Sequence, residues 1–201
     1  MLFTFRSERN PTMKRGLLSL SGLLLLGCAA PGASRPQQVA LVSDFRYDYI
    51  DALYVETDVP GSSENADGYL FEGSFGITED LRLLIGQRNV DQTTGGIDIE
   101  ETKFGAGFHR EVSENADLVI DLFLLDGKGD NGSGASGGVR AWLSDRIEVG
   151  ATLEYLDIYG DDDLGLGLNA VWYASQELGL VGRFVDVGDQ TTIGFGVRAT
   201  L

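Results

Sequence analysis

The chain has 201 residues, room for one domain, with 28 glycines, one cysteine and one histidine. Its 15 basic residues stand against 31 acidic ones, a net charge of −16, which excludes a nucleic-acid-binding surface because that needs a basic footprint. The single cysteine excludes an internal disulfide, and one histidine with one cysteine excludes a zinc site of ligand spacing.

The first element reads as processing sequence. Lys14 and Arg15 precede an apolar run from Gly16 to Gly27, which meets Cys28, Ala29 and Ala30. A short apolar stretch behind two positive charges, ending in small residues, marks residues 1–28 as a secretory signal peptide. A membrane-spanning helix needs about 20 apolar residues, and this run is little more than half as long. Met13-Lys14-Arg15 also makes a conventional signal opening, so Met13 is a second reading of the start. Leu25-Leu26-Gly27-Cys28 is similar to the bacterial lipobox, where the cysteine is acylated and becomes the new N-terminus, although Leu26 is a less usual choice at its place. Ordinary cleavage, for instance after Ala29, is the other outcome, and both stay open. Residues 29–45, with Gly32 to Gln38 at their centre, read as a flexible tether.

Five basic residues lie in this front part, offset by Glu8 alone, so the body from residue 36 carries 10 basic and 30 acidic side chains, a net of −20. Self-repulsion at that level is unfavourable unless the charges are spread out or neutralised by cations.

From residue 46 onward, alternation is the dominant period and helix signals are scarce. Ten strands are expected, near 46–55, 69–77, 81–88, 102–111, 117–125, 136–143, 147–156, 164–173, 178–185 and 192–201, with eight as the shorter count. Four short connectors share a grammar of a hydroxyl residue followed by acids or amides. Their hydroxyls, Thr78, Ser113, Ser144 and Ser175, lie 35, 31 and 31 residues apart, a hairpin-sized repeat. Five longer connectors rich in Gly, Asp and Asn are expected near 56–68, 89–101, 126–135, 157–163 and 186–191. Short turns thus alternate with longer loops, and an even strand count puts both chain ends on one side.

Facing separates a membrane barrel from a soluble sandwich. Ile193, Phe195, Val197, Ala199 and Leu201 alternate with Gly194, Gly196, Arg198 and Thr200. Ile147, Val149, Ala151, Leu153 and Tyr155 oppose Glu148, Gly150, Thr152 and Glu154. In both strands one face is apolar, and the other holds glycine and isolated charges, which suits a narrow lumen better than a solvent surface. Phe75, Phe108, Trp172, Tyr69, Tyr155 and Phe184 fall near strand ends, where interfacial girdles lie. The expected fold is an all-β, antiparallel up-and-down transmembrane β-barrel over residues 46–201, with short periplasmic turns and acidic outer loops.

Three runs carry a family likeness: Asp48-Tyr49-Ile50-Asp51-Ala52-Leu53-Tyr54-Val55, then Ala66-Asp67-Gly68-Tyr69, and Phe104-Gly105-Ala106-Gly107-Phe108-His109. The chain resembles the small proteobacterial outer-membrane β-barrel proteins, porin-like barrels most of which have no assigned activity. The resemblance implies residence in the outer membrane of a Gram-negative cell, contact with lipid and lipopolysaccharide, and insertion by the barrel-assembly machinery. Such barrels usually end in Phe or Trp, the signal that machinery reads; this sequence ends in Leu201, a departure that bears on assembly efficiency rather than on fold.

With the glycine-bearing faces turned inward, the lumen holds Arg82, Arg88, Lys103, Arg140, Arg183 and Arg198 opposite Asp51, Glu72, Asp121, Glu148 and Glu154. The alternation in the first strand leaves the facing of Asp51 and Leu53 open. Charges in a narrow interior must pair, so the leading expectation is a non-enzymatic structural or surface-interaction barrel with a largely filled, charge-paired lumen. The alternatives are a narrow channel for ions or small solutes and a soluble β-lipoprotein that binds a ligand. The five outer connectors hold 16 acids against Lys128 alone, chiefly a solvated, repulsive rim. Asp161, Asp162 and Asp163 are the best candidates there for weak Ca²⁺ or Mg²⁺ binding, which would bridge the rim to anionic lipopolysaccharide. No other cofactor is expected. His109 lies at the turn end, a barrel height from the acidic connectors, so no histidine-dependent catalytic site is expected.

Overall fold

A computed structural model describes residues 45–58, 65–92, 98–127, 131–158 and 161–201. The signal peptide, Met13, Cys28 and all of the tether except Phe45 lie outside the described residues, and so does the side chain of Asp161.

Ten strands follow one another: β1 (Tyr49–Asp58), β2 (Ala66–Gly76), β3 (Leu81–Asp91), β4 (Asp98–Ser113), β5 (Ala116–Gly127), β6 (Asn131–Ser144), β7 (Ile147–Ile158), β8 (Asp161–Tyr173), β9 (Leu178–Val187) and β10 (Gln190–Thr200). Each pairs antiparallel with the next, and β10 returns to pair with β1 from Tyr49↔Thr200 to Asp58↔Thr191. The sheet is therefore a closed up-and-down barrel with no free edge.

Three of the four repeated hydroxyls shape their short turns. Thr78 Oγ1 accepts the N–H groups of Asp80 and Leu81, Ser175 Oγ accepts those of Glu177 and Leu178, and Ser144 Oγ accepts that of Arg146. Each such bond satisfies backbone donors that the ladder leaves open where the chain reverses. At the opposite end β9 and β10 meet through Gly188, whose φ of 61° is left-handed backbone that glycine adopts without strain.

The long connectors are shorter than the sequence suggests. β4 starts at Asp98, β6 at Asn131 and β8 at Asp161, inside stretches read from sequence as loops. Glu56, Asp67, Asp91, Asp126, Asp157, Asp162 and Asp186 lie on strands rather than in loops. Gly, Asn and Asp score as turn formers, but ladder pairing to a neighbouring strand outweighs so weak a preference. β1 likewise starts at Tyr49 instead of residue 46 and runs on to Asp58.

Alternation fixes the two faces. Outward positions such as Ile50, Phe71, Ile85, Phe104, Leu122, Leu153, Leu168, Leu180 and Phe195 are exposed. They form a continuous apolar band around the wall, far more than a water-facing surface tolerates. The band stops at one level. Asp67 follows Tyr69 on the outer face of β2, Asp126 follows Leu124 on β5, and Asp157 follows Tyr155 on β7. At that level Tyr54 Oη donates to Asp67 Oδ2 at 3.0 Å and Tyr155 Oη to Asp162 Oδ1 at 2.9 Å. Each ring lies on the apolar band while its hydroxyl reaches the acidic zone, the placement expected of a girdle residue.

The interior is not purely polar. Leu53, Val55, Ala66, Val90, Val171, Tyr173 and Val181 form a buried apolar cluster, flanked by Leu70, Ile99 and Trp142. Its members lie on β1, β2, β3, β8 and β9, and across β10 Leu53 faces Gly196, Gly196 faces Val181, and Val181 faces Val171. Inward glycines make room for these side chains on their neighbours.

Candidate functional site: a charged lumen

Inward-facing residues at the middle of the barrel carry most of its buried charge. Asp51 and Leu53 both point inward, which settles the facing that the first strand leaves open. Asp51 and Glu148 have no exposed surface, and Arg82, Arg140 and Arg198 are buried with them.

Seven of these groups join in one chain across the lumen. Lys103 of β4 pairs with Glu72 of β2, and Glu72 pairs with Arg183 of β9. Arg183 Nη2 lies 3.5 Å from Asp51 Oδ2. Arg198 of β10 grips the same carboxylate in a two-pronged contact, with Nε donating to Oδ1 at 2.7 Å and Nη2 to Oδ2 at 2.8 Å. Its Nη1 donates onward to Glu148 Oε1 at 3.4 Å, and Arg140 Nε donates to the same oxygen at 2.9 Å. Tyr173 Oη donates to Glu148 Oε2 at 3.1 Å. Positive and negative groups alternate without a break from β4 to β6, so each carboxylate lies between two cations. That arrangement meets the requirement that buried charge be both paired and hydrogen-bonded.

The other four predicted lumen residues lie beside this chain. Arg82 Nη2 donates to both oxygens of Asp121, at 2.8 and 2.9 Å. Arg88 is held by two hydroxyls, its Nη2 donating to Thr57 Oγ1 at 2.7 Å and to Thr192 Oγ1 at 3.3 Å. Thr152 Oγ1 donates to Glu154 Oε1 at 3.3 Å. A cavity of about 230 Å³ remains among these groups, bounded by Arg88 and Thr192 towards the loop side and by Arg82, Arg140 and Tyr49 towards the turn side.

Several contributors have no obvious signature as site residues in the sequence. Tyr173 and Thr192 read as ordinary strand residues marked only by their inward parity, and Thr57 falls in a stretch expected to be a connector but lies on β1. The turn-side mouth is closed by the segment just before β1. Tyr47 is buried, its ring stacked on His109 at a centroid distance of 3.5 Å, and its hydroxyl donates to Asp117 Oδ2 at 2.7 Å. Arg140 and Arg82 lie 4.5 and 5.0 Å from its ring centre. Phe45 stacks on Trp142 at 5.5 Å. Burial raises the Tyr47 hydroxyl above the usual phenol range, so it remains a donor to Asp117. The signal for this segment was present: Phe45, Tyr47 and Tyr49 are aromatics at every second residue, in the inward phase of Asp51. His109 stands at this mouth, facing inward.

The acidic run behaves differently. Asp162 points outward and already accepts the Tyr155 hydroxyl, while the Asp163 carboxylate packs near Gly188. Neighbours on an extended strand face opposite ways, so Asp162 and Asp163 lie on opposite faces of β8. Among the described residues no three His, Cys, Asp or Glu side chains stand together as a metal site.

No protein-family model matches the chain, and no curated protein sequence matches it. Solved structures with a similar fold include the KdgM porin in complex with disordered oligogalacturonate, at 10% identity and a TM-score of 0.48 over 76% of this chain and 99% of that one. The NanC porin aligns at 8% identity and a TM-score of 0.43, over 77% of this chain and 100% of its own. The attachment invasion locus protein Ail of Yersinia pestis aligns at 9% identity and a TM-score of 0.35, over 76% and 93%.

Proposed function

We propose that this chain is a non-enzymatic transmembrane barrel of a bacterial outer membrane, a structural or surface-interaction protein whose lumen is closed by its own side chains. The observation that carries the closed-lumen reading is the unbroken ion-pair chain from Lys103 to Arg140, which spans the interior between opposite parts of the wall. In a barrel of ten strands, side chains of this length meet across the lumen. The apolar band supports the membrane setting: lipid covers it without penalty, whereas a soluble β-lipoprotein would leave it in water. The acidic zone above Tyr54 and Tyr155 then faces the cell exterior, level with anionic lipopolysaccharide, and the hydroxyl-capped turns face the periplasm.

A narrow channel is the second reading, and the cavity of about 230 Å³ is what favours it. Reconstitution in a planar bilayer separates the two. The closed-lumen reading expects no openings from protein that shows a heat-dependent gel shift and resists extraction from membranes; regular unitary conductance from the same preparation would refute it.

A further inference from the structure

Residues 45–48 do more than lead into β1. Asp48 Oδ1 accepts the Gly76 N–H at 2.6 Å, and the Asp48 carbonyl accepts the Leu201 N–H at 2.9 Å. The chain is thereby clipped to the ends of both strands that flank β1, and its two preceding aromatics turn in under the barrel. Tyr47 covers Arg82 and Arg140, the cations that bound the cavity on this side, and Phe45 covers Trp142. Phe45, Tyr47 and Asp48 themselves belong to no strand. Among the described residues the segment is held by one carboxylate latch, one backbone bond, one phenol–carboxylate bond and ring contacts, whereas the wall is held by ladders along every strand. Segments with so few bonds open at a small fraction of the global unfolding free energy.

We infer that Phe45–Asp48 is a displaceable plug, and that its withdrawal opens the lumen cavity to the turn side as a path for small ions. Above the plug the path runs past Arg82, Asp121, Arg140 and Glu154 towards Arg88, between charges of both signs. This second activity rests on the closed-lumen reading of the intact chain. The plug, not the ion-pair chain alone, then keeps the barrel silent.

Two full-length variants test it, each measured in a planar bilayer in potassium chloride beside the intact chain. Phe45→Ala with Tyr47→Ala removes the rings; Asp48→Ala keeps the rings and removes the latch. Folding is checked by the heat-dependent gel shift. The expected results are discrete openings from the double variant and intermittent openings from Asp48→Ala. In a Trp172→Phe background, acrylamide should also quench Trp142 at least about twice as strongly in Asp48→Ala, as a shifted local closed–open equilibrium predicts. Folded variants that stay as silent as the intact chain, with Trp142 equally protected in Asp48→Ala, would overturn the inference. Openings from the intact chain would strike instead at the closed-lumen reading beneath it.

Discussion

Glu148 has no exposed surface, yet it accepts from Arg140, Arg198 and Tyr173. A buried ion pair adds little net stability over a well-packed apolar pair, because desolvating both charges offsets their attraction, but removing one partner strands the other. Glu148→Gln leaves Arg140 without its carboxylate, and the expected loss is about 3–5 kcal/mol, read as a lowered urea midpoint for the folded barrel in detergent. Asp162→Asn, on the exposed outer face, should stay within about 0.5 kcal/mol of the parent. Equal losses in the two variants would show that the lumen pairs carry no special weight. The charge pattern marks the lumen candidates, because an isolated Arg or Glu among inward glycines suits the interior, but it leaves the facing of Asp51 open. Their partners were not legible: Glu72 meets Arg183, 111 residues away, and that pairing depends on how the sheet closes.

At the scale of the strands, glycines divide by what surrounds them. A Cβ at Gly196 would run into the backbone of Ala52 and Leu53 across the β1–β10 seam, whereas one at Gly137, on the outer face of β6, meets nothing within 4 Å. Gly196→Ala should therefore destabilise by about 1–3 kcal/mol through overpacking, while Gly137→Ala should stabilise by about 0.5–1 kcal/mol by stiffening a strand interior. Comparing unfolding midpoints checks both, and a neutral Gly196→Ala would mean that the seam yields more easily than its geometry implies. The hydroxyl-led turns were visible in the sequence because their bonds are local, spanning two or three residues. Strand length at the loop side was not visible. Asp98, Asn131 and Asp161 carry turn-forming side chains, and what makes them strand is a neighbour to pair with.

On the scale of the whole molecule, charge is segregated. The register sets Glu56 opposite Asp67, Asp67 opposite Asp91, and Asp157 opposite Asp162. Like charges directly across a ladder repel, and the net charge of −16 adds a general field. Screening acts over about 10 Å at 0.1 M salt, so adding sodium chloride from low ionic strength should raise the thermal midpoint of the barrel. A midpoint that falls with salt would mean that attraction, not repulsion, dominates the rim. The lumen pairs, shielded from solvent, should contribute little to that dependence.

The barrel class, a strand count near ten and the apolar and polar faces of most strands are written in the order of the residues. All of these follow from a period of two residues and from turn chemistry that acts over a few bonds. Which lumen charges meet, where an apolar cluster interrupts them, and how Phe45 and Tyr47 close the turn-side mouth emerge only in the folded barrel. Those features arise from closure, which brings β1 and β10 together from opposite ends of the barrel sequence. A local pattern specifies the direction in which a side chain points, and the curvature of the closed wall decides what it finds there.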